Sequence, residues 1–256
     1  MRNTIQSVFD IQGEVNVNIR NSTFEGGVFH FHGVKSTDIS VVRAYDYGIE
    51  IKYGATGSVI DGLFTGMGNA KYIFDDAELD VNDIAQKYID GLQSNGNDVI
   101  NFGFHNDSIT SKMTIDAKDG NDVISVSSTD TPVDVWGGKG DDAITLQTHT
   151  NSISNKAAYF TIGDGNDTLT GGAGASIYLD NVDLNIVKFQ MIGQGLKINY
   201  SQSDSLFITD FFSGQDGINI YRLLKINGEN YNGSGYSYEG RYWQAPIFSF
   251  SNENDS

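Results

Sequence analysis

Hydrophobic and polar residues alternate along the first quarter of the chain. Residues 28–32 (VFHFH) and 48–53 (GIEIKY) carry an apolar side chain at every second position, which is typical of β-strands with one buried face. Apolar positions also recur every 20 residues across residues 13–74, a spacing typical of parallel β-helix coils. The predicted alignments are Ile19 with Ile39 and Val59, Phe29 with Ile49, and Phe31 with Ile51. We therefore predict short parallel β-helix turns over residues 1–74.

Residues 75–92 have a different pattern. Leu79, Ile84, Tyr88 and Leu92 fall near helical spacing, and acidic residues crowd the start, where a helix dipole favours negative charge. We predict a linker or a short helix that joins one solenoid to another.

A glycine–aspartate pattern recurs four times in residues 93–179. Each copy has a glycine, one residue, an aspartate, one residue and an aliphatic side chain. The copies are residues 96–100 (GNDVI), 120–124 (GNDVI), 140–144 (GDDAI) and 165–169 (GNDTL). The third copy extends to GGKGDDAIT over residues 137–145, which fits the nonapeptide GGxGxDxUx.

This nonapeptide resembles the calcium-binding repeat of RTX (repeats-in-toxin) proteins, and the resemblance implies a parallel β-roll over residues 93–179. The chemistry is consistent with it, because glycine accepts positive φ and lets a loop turn sharply. Such a loop offers carbonyl oxygens and one carboxylate to Ca²⁺, which takes about 6–8 oxygen ligands. One loop supplies half a site, and the next loop completes it. The second edge of the roll is degenerate, so we expect one calcium edge with about three sites.

The predicted calcium ligands come from these loops. Stacked loops would lie about 4.8 Å apart, where two carboxylates repel by about 1 kcal/mol in water and several times more at an effective dielectric of about 20. We therefore predict a segment that folds only with Ca²⁺, although a single GND or GDD is also an ordinary turn sequence. The predicted metal-site residues are Asp98, Asp122, Asp142, Asp167, Gly96, Gly120, Gly140, Gly165, Asn95, Asp119, Lys139, Asp164, Gly138, Gly163, Gly172 and Gly174.

We predict a C-terminal β cap over residues 180–256. The expected fold class is therefore all-β, with a short right-handed parallel β-helix that continues into an RTX parallel β-roll and ends in this cap. Residues 187–190 and 195–200 alternate as strands do. Residues 208–220 (ITDFFSGQDGINI) resemble the phrase that follows the repeats in RTX proteases, lipases and alginate epimerases, which implies a cap on the open solenoid end. The resemblance also implies an extracellular protein exported by a type I system. The polar and acidic ending, FSFSNENDS, carries no recognisable signal.

The composition limits the classes of binding partner and the chemistry that the chain can have. A net charge of −17 argues against nucleic acid or an anionic membrane as a partner, and the absence of cysteine excludes disulfides and thiol chemistry. No apolar run is long enough to span a bilayer. The N-terminus, MRNTIQS, lacks the apolar core of a signal peptide. The protein stays inside, leaves by a route without a signal peptide, or is a fragment.

The sequence predicts no catalytic residues. It lacks HExxH, GxSxG and the epimerase phrase Asp-Pro-His. His30 and His32 share one outward strand face, where they could bind a metal or serve an acid–base step. Two solvated strand residues are the simpler interpretation.

The functional expectation is a non-catalytic, calcium-folded RTX module of a secreted protein. It would support secretion and folding and bind a cell surface or an anionic polysaccharide. One alternative is a relative of mannuronan C5-epimerases or polysaccharide lyases, because residues 19–24 (IRNSTF) resemble a turn of their right-handed β-helices. A second alternative is a structural adhesin or surface-layer module.

Overall fold

The computed structural model describes residues 7–19, 27–45, 48–61, 70–103, 109–127, 131–147, 155–171, 175–209, 211 and 223–230. The chain forms two compact units. The first comprises Met1–Leu92 and Phe104–Met113, and the second comprises Gln93–Gly103 and Thr114–Ser256. The segment predicted to form the roll, residues 93–179, thus contributes residues 104–113 to the first unit.

The first unit consists of short strands and one described helix. In chain order these are β1 (Ser7–Gln12), β2 (Asn16–Ile19), β3 (Gly27–His32), β4 (Ile39–Tyr45), β5 (Gly48–Tyr53), β6 (Gly57–Asp61), β7 (Lys71–Ile73), β8 (Glu78–Asp80) and α1 (Val81–Asp90).

Two sheets build this unit. In one, β1, β3 and β7 run parallel, and β8 pairs antiparallel with β7. In the other, β2 runs parallel to β6, while β6, β5 and β4 pair antiparallel in turn. The chain passes from one sheet to the other and back, as in a solenoid coil. The second coil also contains the antiparallel hairpin β4–β5.

That hairpin overturns part of the predicted alignment. A 20-residue offset does relate β1 to β3, where Phe9 pairs with Phe29. The predicted match of Phe29 with Ile49 is wrong, because the next parallel partner of Phe29 is Tyr72. The match of Phe31 with Ile51 is wrong for the same reason, since Ile51 pairs with hairpin neighbours.

The match of Ile19 with Val59 is also wrong, because Val59 pairs with Val17. The match with Ile39 fails too, since Ile39 pairs antiparallel with Tyr53. Alternation buries one face of a strand equally well in a coil or a hairpin. The pattern therefore identified the buried face and not the partner strand.

The interior of the first unit is a stack of aromatic rings. Phe29 lies between Phe9 and Tyr72, with ring centroids 5.0 Å and 5.2 Å away, and Phe31 stacks on Phe74 at 4.7 Å. These stacked rings hold successive parallel strands in register.

Helix α1 lies within the segment predicted as a linker or short helix. The Asp80 carboxylate accepts hydrogen bonds from the N–H groups of Asn82 and Asp83, and the Asp83 carboxylate accepts the Asp80 N–H. This reciprocal capping box fixes the start of the helix. Its apolar face is buried through Ile84 and Tyr88.

The second unit is a roll of two facing sheets. Its strands, in chain order, are β9 (Val99–Phe102), β10 (Met113–Asp116), β11 (Val123–Val126), β12 (Val133–Trp136), β13 (Ala143–Leu146), β14 (Lys156–Thr161), β15 (Asn166–Gly171), β16 (Ser176–Asp180), β17 (Lys188–Ile192), β18 (Gly195–Asn199), β19 (Ser205–Ile208), β20 (Leu223–Ile226) and β21 (Glu229–Asn230).

From β9 to β16, consecutive strands alternate between the two sheets. One sheet has β9, β11, β13, β15 and β19 in parallel order, and the other has β12, β14, β16 and β20 in parallel order, with β10 beside β12. Each coil contributes one strand to each sheet. The prediction of an all-β fold built from parallel solenoid coils is confirmed.

The aliphatic residue of each glycine–aspartate copy fills the space between these sheets. Ile100, Ile124, Ile144 and Leu169 occupy one register column and are at most 1% exposed. Coils of unequal length, with copies 24, 20 and 25 residues apart, therefore stack in register.

A hairpin extends the first sheet at its last coil. Strands β17 and β18 pair antiparallel, and β18 pairs antiparallel with β19, so the edge of β19 is covered. Of the phrase in residues 208–220, the structure describes only Ile208, Thr209 and Phe211, and Phe211 is buried. Residues 231–256 lie outside the described part. No helix among the described residues is long and apolar enough to cross a membrane.

Candidate metal centre

Four aspartates form a hydrogen-bonded ladder along one edge of the second unit. The Asp98 N–H donates to Asp122 Oδ1 at 2.7 Å, the Asp122 N–H to Asp142 Oδ1 at 2.8 Å, and the Asp142 N–H to Asp167 Oδ1 at 3.0 Å. We call these residues the aspartate ladder. Each carboxylate after the first thus binds the backbone of the preceding coil.

The second carboxylate oxygen has no such partner in three of these residues. Oδ2 of Asp122, Asp142 and Asp167 is buried without a hydrogen-bond donor among the described residues, and the three residues are 1–2% exposed. Asp98 differs, because Ser94 donates to Oδ2 through its N–H at 2.6 Å and to Oδ1 through its hydroxyl at 2.8 Å. Within the ladder, the buried carboxylate oxygens that lack a described hydrogen-bond donor are therefore those of Asp122, Asp142 and Asp167.

Burial shifts the acid–base balance of these groups. Burial, the largest cause, and nearby carboxylates together raise the pKa of Asp142 to about 6 and of Asp167 to about 8, although hydrogen bonds from the backbone lower both. Burial also raises the pKa of Asp122, with the Asp98 carboxylate adding to the shift. The ladder therefore resists full ionisation near pH 7 unless a cation is present.

The last coil adds further acids and a phenol. Burial raises the pKa of Asp164, and the Asp204 carboxylate adds to it. Burial opposes ionisation of Asp204 too, but hydrogen bonds from Ser201, Gly163 and Gly165 lower its pKa overall.

Tyr200 completes this acidic end. Its hydroxyl is buried without a hydrogen-bond partner among the described residues. Burial and then the carboxylates of Asp167 and Asp164 raise its pKa. It therefore stays protonated and offers an uncharged oxygen near the ladder. Sequence analysis missed Tyr200 and Asp204 because their coil lacks the glycine–aspartate pattern.

A second ladder runs beside the first. The Asn121 N–H donates to Asn97 Oδ1 at 2.9 Å, the Asp141 N–H to Asn121 Oδ1 at 3.0 Å, and the Asn166 N–H to Asp141 Oδ1 at 2.8 Å. These residues were also missed as site residues. The signal was present, because each copy has Asn or Asp directly before the ladder aspartate.

The repeated glycines form a column in which successive backbones nearly touch. Gly120, Gly140 and Gly165 have φ of +132°, +133° and +107°. A Cβ on Gly140 would lie 2.0 Å from the Gly120 carbonyl oxygen, and one on Gly165 would lie 2.3 Å from the Gly140 carbonyl oxygen. Glycine is required at these positions by both backbone conformation and space. Gly96, in the first loop, is the residue against which Gly120 packs.

Two further predicted glycines also have left-handed backbones. Gly138 has φ of +91° and Gly163 has φ of +100°. A Cβ on Gly138 would lie 1.6 Å from the Lys118 carbonyl oxygen. Gly172 and Gly174 lie outside the described residues.

The remaining predicted residues lie beside the glycine column. The carbonyls of Lys139 and Asp164 accept the N–H groups of Gly120 and Gly140, both at 2.7 Å. The Lys139 ammonium pairs with the Asp119 carboxylate at 3.1 Å on the exposed surface. Asn95 is exposed. The side chains of Asn95, Asp119 and Lys139 are thus exposed at the rim and Asp164 is half-buried, whereas the carboxylates of Asp122, Asp142 and Asp167 are buried.

The donors in these loops suit a hard divalent cation. The available atoms are carboxylate, carbonyl and phenol oxygens, with no imidazole or thiol nearby in the described loops. Oxygen-only sites favour Ca²⁺ or Mg²⁺ over zinc or copper. The residues present fit a calcium ion near the unpaired carboxylate oxygens.

Comparisons with known proteins found similarity to solved structures. No protein-family model matches the chain, and no curated protein matches it. The chain is similar to the extracellular lipase LipA from Serratia marcescens, with 14% sequence identity and a TM-score of 0.36. The similarity covers 86% of this chain and 35% of the lipase chain.

In calcium-free buffer, the second unit should lose stability as the pH rises. Asp142 and Asp167 have folded-state pKa values of about 6 and about 8, above the ordinary 3.8. Their protonation therefore stabilises the fold fully below about pH 4, and this contribution is lost as the pH passes 6 and then 8. Thermal unfolding followed by circular dichroism at pH 4, 6 and 8 measures the effect.

Two variants separate this effect from the general negative charge. Asp167→Asn should flatten the profile between pH 6 and 8. Asp116→Asn makes the same charge change at an exposed position outside the ladder and should keep the wild-type profile. Identical profiles for the two variants would contradict the assignment.

Gly140→Ala should destabilise the second unit by about 3 kcal/mol or more, because left-handed strain adds to a clash with the Gly120 backbone. Gly193→Ala is the matched control. Gly193 also has a positive φ, +59°, but nothing lies within 4 Å of its added Cβ, so the cost should be about 1 kcal/mol. Urea unfolding in calcium measures both, and equal losses would show that the coils do not approach so closely.

Proposed function

We propose that the second unit is a calcium-dependent β-roll of the RTX type and that Ca²⁺ binds along the aspartate ladder. The observation that carries the proposal is the set of three buried Oδ2 atoms, on Asp122, Asp142 and Asp167, that have no hydrogen-bond donor in the part of the chain that the structure describes. Buried charges are costly unless paired or bound to metal. Ca²⁺ would supply the missing positive partner, with loop carbonyls as further oxygen ligands.

Calcium binding would act as a folding switch. Without the ion, Asp122, Asp142 and Asp167 must take up protons or leave their buried positions, and as the pH rises above their ordinary pKa the cost of either makes the calcium-free coils less stable. With the ion bound to the folded loops and not to the unfolded chain, its binding free energy becomes folding free energy. The unit would be loose at cytosolic calcium and ordered at the millimolar calcium outside cells, where weaker sites are filled.

Such a switch suits a secreted protein. We propose an extracellular location with export by a type I system, in which the unit serves as a non-catalytic folding and binding module. An anionic polysaccharide or a cell surface is the proposed partner. Because the chain has a net charge of −17, a polyanion would approach it through bound calcium rather than through direct contact.

Calcium titration of the chain tests the proposal. Isothermal calorimetry should show binding, and circular dichroism should show a gain of β-structure that a chelator reverses. Asp142→Asn keeps the shape and the Oδ1 acceptor but removes one buried negative charge. It should weaken calcium binding at least about tenfold, which is about 1.4 kcal/mol, and stabilise the calcium-free unit near pH 7.5.

Asp116→Asn is again the control and should bind calcium like the wild type. Magnesium at equal concentration should bind more weakly, since it demands a tighter octahedral site. A spectrum and melting temperature that do not respond to calcium or chelator would refute the proposal.

A further inference from the structure

Three side chains with metal-binding chemistry meet on the outer face of the first unit. They are Asp10 on β1 and His30 and His32 on β3, and their ligand atoms all lie within 4.8 Å of one another. We propose that they form a second metal site, for a borderline divalent cation of the Zn²⁺ class. This site is independent of the proposed calcium function, because it has other residues and another donor chemistry.

The fold determines which way these side chains face. Side chains alternate across a strand, and the inward positions of β1 and β3 are taken by Ile11, Phe29 and Phe31, each at most 2% exposed. The intervening residues Asp10, His30 and His32 must therefore face outward. The parallel register sets Asp10 directly beside His30, so strand pairing alone assembles the group.

The side chains already converge. Asp10 Oδ1 lies 2.5 Å from His32 Nε2, and the rings of His30 and His32 are 6.1 Å apart with an interplanar angle of 62°. Zinc bonds of about 2.0–2.2 Å place tetrahedral ligand atoms about 3.3 Å apart. The three ligand atoms now lie within 4.8 Å of one another. Side-chain rotation alone can bring them to the tetrahedral spacing, since Asp10 and His32 are exposed and His30 is half-buried.

The surroundings leave the group available to a cation. On the same face, Ile73 pairs with His30, so an apolar side chain lies beside this imidazole. Lys71, the cation of the adjacent strand, forms a salt bridge with Glu78. The open side faces solvent, where water would complete the coordination.

Two imidazoles and one carboxylate select the class of ion. Imidazole nitrogen suits Zn²⁺, Cu²⁺, Ni²⁺ and Fe²⁺, whereas Ca²⁺ and Mg²⁺ prefer oxygen alone. The site therefore differs from the aspartate ladder in the ion it takes. With three protein ligands and open positions, it has the composition of sites that keep a bound water.

The test is zinc binding by the full chain in saturating calcium. Isothermal calorimetry should show one zinc site, and X-ray absorption at the zinc edge should show two imidazole ligands. Asp10→Asn, His30→Gln and His32→Gln should each weaken zinc binding at least about tenfold, or about 1.4 kcal/mol. Calcium binding should be unchanged in all three.

Two controls distinguish this site from other sources of zinc affinity. His149→Gln removes a histidine from the second unit and should bind zinc like the wild type. Asp142→Asn should also keep zinc affinity while it loses calcium affinity. Circular dichroism in calcium verifies that each variant is folded.

Three results would overturn the proposal. One is the absence of zinc binding by the wild type. Another is wild-type affinity in His30→Gln, which would leave Asp10 and His32 as a plain ion pair. The third is loss of zinc affinity in Asp142→Asn alone, which would place the zinc in the roll.

Discussion

The spacing between successive coils is the constraint on which the second unit depends. Parallel strands hold neighbouring loops about 4.8 Å apart, so the Gly140 backbone lies against the Gly120 carbonyl and leaves no room for a side chain. The same spacing stacks the ladder carboxylates. In Asp122, Asp142 and Asp167, Oδ1 accepts a backbone N–H, and Oδ2 finds no donor within the described ranges. Leaving a buried group unpaired costs about 1–3 kcal/mol, and more when it is charged.

The order Gly-Asn-Asp follows from this geometry. Glycine allows close approach, the Asn97 or Asn121 amide oxygen accepts an N–H from the following coil, and the Asp122 or Asp142 carboxylate accepts one from the preceding coil. Each pair of coils is thus linked in both directions outside the sheet. A structural role and the proposed metal-binding role are compatible in the same residues, because Oδ1 links the loop to the preceding coil while Oδ2 has no hydrogen-bond donor among the described residues.

The sequence predicts the burial of a residue well where that residue has a single structural role. The buried column of Ile100, Ile124, Ile144 and Leu169 could be predicted because an inward position tolerates only apolar side chains. The hairpin β4–β5 could not, because Ile49 and Ile51 alternate alike in a hairpin or a coil.

Contacts between residues that are far apart in sequence could not be predicted either. Tyr200 lies near the acids of the roll because the chain returns to them after β17 and β18. Asp10 lies beside the histidines because β1 pairs with β3. Neither meeting leaves a local pattern, since each depends on which strands become neighbours. The motif therefore singled out the four aspartates of the ladder, and the topology brought Tyr200 and Asp204 to the same end of the roll.

The direction of the ladder bonds has a consequence for assembly. In each pair the N–H belongs to the earlier coil and the carboxylate to the later one, and the first rung, Asp98, is satisfied by Ser94 from its own loop. Along the aspartate ladder, each earlier coil therefore offers a backbone N–H that gains its carboxylate only when the later coil stacks on it. Coils can therefore be added from Asp98 towards Asp167, each one binding the open N–H of the coil before it.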